Sequence, residues 1–389
     1  MSGLMLMLSA AHPPEDVRIV VKQGAALAEA GFHVRHLAPG AAPNTHLHGV
    51  EIVSHGPAPR GWRARLRAIP RLARLAAAAR PAVIHAHEPD SWVAALIAGR
   101  WVGARVVLDV HEHYPSRLDA RLPAMLRPLA RLGLGAFCRL AALAADRVVV
   151  AKEGLDDAFG GPTRCVKVRN YATPAPITPR AHAPGPLRLV HLGALGRSRG
   201  AFAMLLTLSR LPPTAELVLA GRFTDGSEAD FLAAAAELGL ARRVTSLPWM
   251  PREAALGIAA GCDIGLVLFQ PGVENHRLAL PHKLFDCMLA GLPVIVPDFA
   301  EEVAAVVREA GCGLAVNTAD PAAIAAAVQT LADPELRNAL GARGRQAALT
   351  RFGWAGEAAR LVGLYRGLMA QRQPAWRAAA PGAAARSGQ

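Results

Sequence analysis

Cysteine is scarce and unpatterned. The five (Cys138, Cys165, Cys262, Cys287, Cys312) lie far apart with no C-x-x-C pair. That argues against a disulfide scaffold or a zinc site and for a reduced, intracellular chain. Aromatic residues make up only 5% of the 389 and do not interleave with the basic runs. A stacking platform for bases is therefore missing, and no nucleic-acid partner is expected. No uninterrupted apolar stretch approaches the roughly 18 to 20 residues that span a bilayer. Even LGLGAFCRLAALAA is cut by Arg139. The opening MSGLMLMLSAAHPP lacks a basic n-region, so it reads as a first buried strand rather than a signal peptide. Acids are outnumbered, 30 Asp and Glu against 43 Lys and Arg, a formal charge of +13. The excess favours anionic partners. A coding sequence rich in G and C yields the same surplus of arginine and alanine, so the charge alone selects no ligand.

What is present is a well-buried, soluble composition, 52% apolar and 19% charged. The length exceeds one ordinary core, which predicts two domains. In the first half, short apolar runs alternate with helical patterns. LMLMLSA, HVRHLAP, AVIHAH (82–87), ARVVLDVHEHY (104–114) and RVVVAK (147–152) read as strands, and VRIVVKQGAALAEAGF as a helix ending at Gly31. Residues 173–186, TPAPITPRAHAPGP, hold five prolines and no apolar period, as a linker would. The alternation then restarts with LRLVHLG, AELVLAG, RVTSLPW, DIGLVLF, VIVP and CGLAVN as strands and helices between them. The prediction is an α/β protein of two Rossmann-like, doubly wound domains: 1–172, a linker at 173–186, and 187–350. A last helix at 351–371 and a patternless, disordered tail at 372–389 follow. In such sheets ligands collect at the carboxyl ends of strands.

Two stretches of the second half suit an anion. HLGALGRSRGAF (191–202) is a glycine-bearing turn from strand to helix, where backbone N–H groups approach a phosphate and Arg197 and Arg199 add charge. In LPHKLFDCMLAGLPVIVP (280–297), Lys283 and Asp286 are three apart on one helix face. The helix N-terminus and the lysine attract phosphate, and an aspartate one turn on accepts hydrogen bonds from paired sugar hydroxyls. An exposed intrahelical ion pair is the plain alternative for these two charges.

LPHKLFDCMLAGLPVIVPD resembles the nucleotide-sugar signature P-x-K-x-x-E-x-M-A-x-G-x-P-V-I of the retaining GT-B glycosyltransferases of family 4 (glycosyl transferases group 1). VIHAHEPD, VVLDVHEHYP, VRNY, LVLAGRF, VTSLPWMPREA, AAGCDIGLVLF and DPELRNALGARGRQ follow the same family's order, over about residues 1–370. The resemblance implies a GT-B fold, two domains facing each other across a cleft, with the last helix crossing back to the first domain. It implies that Lys283 and one or both of Arg197 and Arg199 hold the donor diphosphate in place of a metal ion. Asp286 would hold ribose, and Gly221, Arg222, Trp249 and Met250 would border the base. It places His12, His87, His111 and Glu112 on the acceptor or sugar side, with His111 facing the transferred sugar. His111, Lys283 and Arg199 are the catalytic candidates. Leu278 stands where the family has a first glutamate and Asp286 where it has the second, so Glu274, Asn275 and His276 become candidates for the missing sugar contact. The activity implied is metal-independent, cofactor-free transfer of a hexose from a nucleotide sugar to a glycan, with retention of configuration. The alternatives are a non-catalytic sugar-nucleotide-binding subunit and a GT-B epimerase.

Two basic amphipathic regions bear on the acceptor. Residues 60–80 carry seven arginines and no acid, and 117–140 form a second basic amphipathic region. Such segments rest on anionic bilayers. The expectation is a cytoplasmic protein, peripheral on the inner membrane face, acting on a lipid-linked or oligosaccharide acceptor in polysaccharide biosynthesis.

Overall fold

A computed structural model describes residues 3–40 and 45–371. Its contacts divide the chain into two units, one from the described parts of 1–169 and 355–389, the other 170–354. The tail expected at 372–389 lies outside the described residues.

The first unit is built on β1 (Leu4–Leu8), β2 (His33–Ala38), β3 (Thr45–Leu47), β4 (Val50–Ser54), β5 (Val83–Ala86), β6 (Arg105–Val110), β7 (Arg147–Val150) and β8 (Cys165–Lys167). They form one sheet in the order β3-β4-β2-β1-β5-β6-β7-β8, parallel except for the β3–β4 pair. Every residue of β5 and β6 is buried, as expected of central strands covered on both faces. The strand predicted over 104–114 stops at Val110, because His-Glu-His-Tyr-Pro turns away into a short 3-10 helix, Tyr114–Ser116. The helices are α1 (Ala25–Glu29), α2 (Trp62–Ala78), α3 (Pro89–Val102) and α4 (Arg127–Ala144). The helix predicted after β1 begins as a π-helix, Val17–Gly24, capped by Asp16, whose side chain accepts the N–H groups of Arg18 and Ile19. Bonding from i to i+5 stacks residues five apart, which turns Arg18 and Gln23 inward together.

The second unit holds β9 (Arg188–Leu195), β10 (Glu216–Phe223), β11 (Val244–Leu247), β12 (Ile264–Leu266), β13 (Val294–Pro297) and β14 (Gly313–Val316). The sheet is parallel throughout, in the order β11-β10-β9-β12-β13-β14. Its helices are α5 (Ala201–Leu208), α6 (Glu228–Glu237), α7 (Arg252–Ala260), α8 (Glu274–Arg277), α9 (His282–Leu289), α10 (Glu301–Ala310), α11 (Pro321–Thr330) and α12 (Pro334–Leu349). The strand order reverses between β9 and β12, the place where ligands enter open α/β sheets. The proline-rich segment expected as a linker is instead a strap on this unit. The His182 backbone N–H donates to Asn338 Oδ1 (2.8 Å), and Arg180 pairs with the buried Asp263 (2.6 Å). Proline removes donors that a strand would need, so side-chain bonds fix the path instead.

The last helix, α13 (Trp354–Ala370), belongs to the first unit from Ala355 onward. Its buried Glu357 accepts the Arg169 N–H (2.9 Å), and its buried Tyr365 hydroxyl lies 2.7 Å from His85 Nδ1.

Candidate functional site

In the second unit the turn after β9 and the head of α9 meet. Gly200, at φ +86, begins α5, and a Cβ there would lie 2.1 Å from the Leu268 carbonyl oxygen. Only glycine lets the turn approach β12 this closely. That approach sets Arg199 beside the Phe269 ring, with its Cζ 5.9 Å from the centroid. Lys283 Nζ lies 6.0 Å from the same centroid. Lys283 is buried, and among the described residues no carboxylate pairs with it or with Arg199. Its ammonium touches His191 Nε2 (2.7 Å) and, more distantly, the Ala194 carbonyl oxygen (3.5 Å). Burial, with the Arg199 charge second, pushes Lys283 down to about 7. Charging a buried amine beside a half-buried guanidinium with no anion near is costly, and an incoming anion relieves the cost.

The remaining donor candidates divide. Arg197 turns away: it pairs with Asp230 (2.5 Å) and covers the Phe202 ring (4.1 Å), so of the two arginines it is Arg199 that joins Lys283. The exposed Lys283–Asp286 pair is not formed, since Lys283 is buried and Asp286 Oδ1 accepts from Arg252 Nε (2.9 Å). Arg252 also donates to the Thr173 carbonyl oxygen (2.9 Å), which fixes it. Arg222 lies over the exposed Trp249 ring (5.2 Å), so these two come together, and Met250 packs partly buried on the core behind. Gly221 matters for packing: a Cβ there would lie 1.8 Å from the Gly193 carbonyl oxygen. Of the loop candidates, His276 is the one brought in. Its ring stacks on Phe269 (4.6 Å) and its Nδ1 lies 3.3 Å from the Gln270 carbonyl oxygen. Glu274 is drawn off to Arg277 (2.7 Å), Asn275 is half-buried beside it, and Leu278 is buried.

In the first unit Asp109, at the end of β6, is the hub of a buried network. Arg18 donates to both its oxygens (2.8 and 3.1 Å), Gln23 donates to Oδ2 (2.8 Å), and His87 Nδ1 and His111 Nε2 lie 3.2 and 3.0 Å away. Burial would raise this carboxyl, but Arg18 and His111 hold it well below the usual range. Burial drives His85 down to about 4 and His87 well below the ordinary histidine value. His12, His87 and His111 do cluster, with ring centroids 5.1 to 6.5 Å apart. Burial works against charge on His12, yet its hydrogen bond to Asp16 and the Glu88 carboxylate raise it. Glu112 is half-buried and pairs with Arg117. A cavity of about 690 Å³ opens here, with His12, His111, Glu88, Arg65, Arg117 and Arg121 among its polar lining and Trp62, Leu66, Ile69 and Phe137 among its apolar walls.

Sequence reasoning missed Asp109, Glu88 and His191. Glu88 accepts the N–H groups of Ala10, Ala11 and His12 (3.1, 2.9 and 2.8 Å), closing the loop after β1. Its signal was legible: Glu-Pro-Asp is an acidic N-cap followed by proline at the first helical position. Asp109 and His191 carried none, being single polar residues inside apolar strand runs.

Solved structures share this architecture. The chain is similar to sucrose-phosphate synthase from Thermosynechococcus elongatus (TM-score 0.78, 19% identity, 95% of this chain and 99% of that one). It is also similar to HepE from Anabaena in complex with UDP (TM-score 0.70, 14% identity, 93% and 99%). Two α/β units of this kind with these neighbours define a GT-B glycosyltransferase fold. Residues 17–161 match the glycosyl transferase 4-like domain and residues 178–347 match glycosyl transferases group 1. The chain belongs to the group 1 glycosyltransferase family. Among curated proteins it is 25% identical over 283 residues to D-inositol 3-phosphate glycosyltransferase of Acidothermus cellulolyticus, 72% of this chain and 54% of that protein. The chain thus spans about half the length of the curated relative it matches.

Proposed function

We propose that this chain moves a hexose from a nucleotide-sugar donor to a lipid-linked or oligosaccharide acceptor, with retention of configuration and without a metal ion. The observation that carries the reading is the buried Lys283 beside Arg199, two cations with no carboxylate partner among the described residues, at the strand-order reversal of the second unit. A nucleoside diphosphate supplies the missing charge. As the bond from the anomeric carbon to the diphosphate oxygen breaks, negative charge grows on the leaving group, and preorganised cations stabilise it. The acceptor oxygen bonds to the same face of that carbon, and its proton passes to the departing diphosphate. Asp286, oriented by Arg252, takes ribose hydroxyls. Arg222 and Trp249 border the base, and His276 stands in for the sugar contact that Leu278 lacks.

The cavity of the first unit suits the acceptor. It combines Arg65, Arg117 and Arg121 with apolar walls, as an anionic head on an apolar chain requires. The relatives support the donor class: HepE is held in complex with UDP. A thermal-shift screen against UDP-, GDP-, ADP- and dTDP-sugars tests the reading, because tight binding raises Tm by mass action. One donor is expected to stabilise the wild type, with Lys283→Ala weakening it by about 10- to 100-fold. If no nucleotide sugar shifts Tm, the reading fails. The buried Leu278 favours a second one, a non-catalytic sugar-nucleotide-binding subunit. Donor binding without turnover on any lipid-linked acceptor would select it.

A further inference from the structure

His191 lies in the middle of β9, in a run of buried apolar residues, where a histidine serves no purpose in packing that leucine or phenylalanine would not serve. Its hydrogen bonds define its state. Each ring nitrogen lies 3.2 Å from a carbonyl oxygen, Nδ1 from Leu266 and Nε2 from Ala194, so these two contacts alone do not choose the tautomer. Nε2 also faces Lys283 Nζ at 2.7 Å, and an ammonium can only donate, so a charged Lys283 requires Nε2 to be bare and the proton to sit on Nδ1. The lysine is therefore the donor of the short contact, and the imidazole is its acceptor.

From this geometry we infer that His191 is the positioning residue for Lys283, and that binding of a nucleoside diphosphate is coupled to uptake of a proton by the Lys283–His191 pair. The inference rests on the donor site proposed above. The contact serves either state of the amine, because both –NH₂ and –NH₃⁺ donate to Nε2, so the pair is held in place before the ligand arrives. The groups facing the lysine are few. His191 comes from β9, Arg199 from the turn that follows it, the Phe269 ring from the end of β12, and the Cys287 thiol from its own helix. Burial keeps that thiol neutral. Burial and Lys283 hold His191 well below the ordinary histidine value, so it stays a neutral acceptor. With Lys283 at about 7, much of the empty site lacks the ammonium in neutral solution. A diphosphate restores it, since a nearby anion favours the charged form.

The test is isothermal titration calorimetry on the full chain with UDP, GDP, ADP and dTDP, in buffers of different ionisation enthalpy. For whichever binds most tightly, uptake of about 0.9 proton is expected at pH 8 and about 0.5 at pH 7. Two variants separate positioning from packing. His191→Phe fills the volume without an acceptor, and is expected to weaken binding about tenfold. His191→Gln offers an amide oxygen where Nε2 was, and is expected to stay within about threefold of wild type. Absence of proton uptake across pH 7 to 8.5 overturns the coupling, whatever the variants do. A His191→Phe protein that binds like wild type, beside an impaired His191→Gln, overturns the positioning role. Either result can stand while Lys283→Ala still weakens binding, which leaves the donor-site reading intact. If none of the four nucleotides binds wild type, the site reading and this inference fall together.

Discussion

Asp109 shows how much one buried carboxylate can organise. It takes Arg18, Gln23 and two histidines at the end of β6, and no solvent reaches it. Asp109→Asn would leave Arg18 a buried charge without its partner, so a loss of about 3 to 5 kcal/mol is expected in urea unfolding. The neighbouring histidines give a pH signature. His85 and His87 have folded values below the unfolded one, so their contribution is present above about pH 6.5 and declines as pH falls toward 4. Tm measured from pH 7.5 down to 5 should fall, and the fall should begin near 6.5 rather than near 4. Lys283 is legible in another way. Only four lysines occur in this arginine-dominated chain, and a compact amine that can lose its proton when buried is not interchangeable with arginine.

Among the elements, the turn from β9 to α5 decides which arginine serves. Sequence offered Arg197 and Arg199 equally. The turn sends the first to Asp230 and the second to the Phe269 ring. Gly200→Ala would force either φ or the Leu268 carbonyl to move. A stability loss of about 1 to 3 kcal/mol is expected, together with weaker donor binding, since Arg199 precedes it directly. Unchanged affinity in the alanine variant would show that the turn does not place Arg199. The π-helix after β1 makes the same point. Its apolar spacing read as an ordinary helix, and only the Asp16 cap and the pull of Asp109 on residues 18 and 23 widen it.

For the molecule as a whole, the expected docking on an anionic bilayer can be tested at the exposed basic and apolar face of the first unit. No helix among the described residues is long and apolar enough to cross a membrane. Yet α2 and the region of α4 expose Trp62, Leu66, Met125, Leu129 and Leu132 among their arginines. Flotation with vesicles containing anionic phospholipid should carry the wild type upward, less so as salt rises. Leu129→Glu with Leu132→Glu should reduce flotation without moving Tm, because each side chain is 71% exposed. Equal flotation of the double variant would overturn the expectation that this face docks on the membrane.

The alternation of apolar runs determined two doubly wound α/β units, because a strand buried on both faces must be continuously apolar. Helix-head chemistry likewise marked Lys283, since proline, a cation and a following buried strand form a local pattern. Tertiary structure alone decided the company these residues keep. His191, Asp109 and Glu88 are single polar residues whose partners lie 92, 91 and 78 positions away. Periodicity carries no record of such pairings, because hydrogen bonds between distant strand ends depend on sheet order and register.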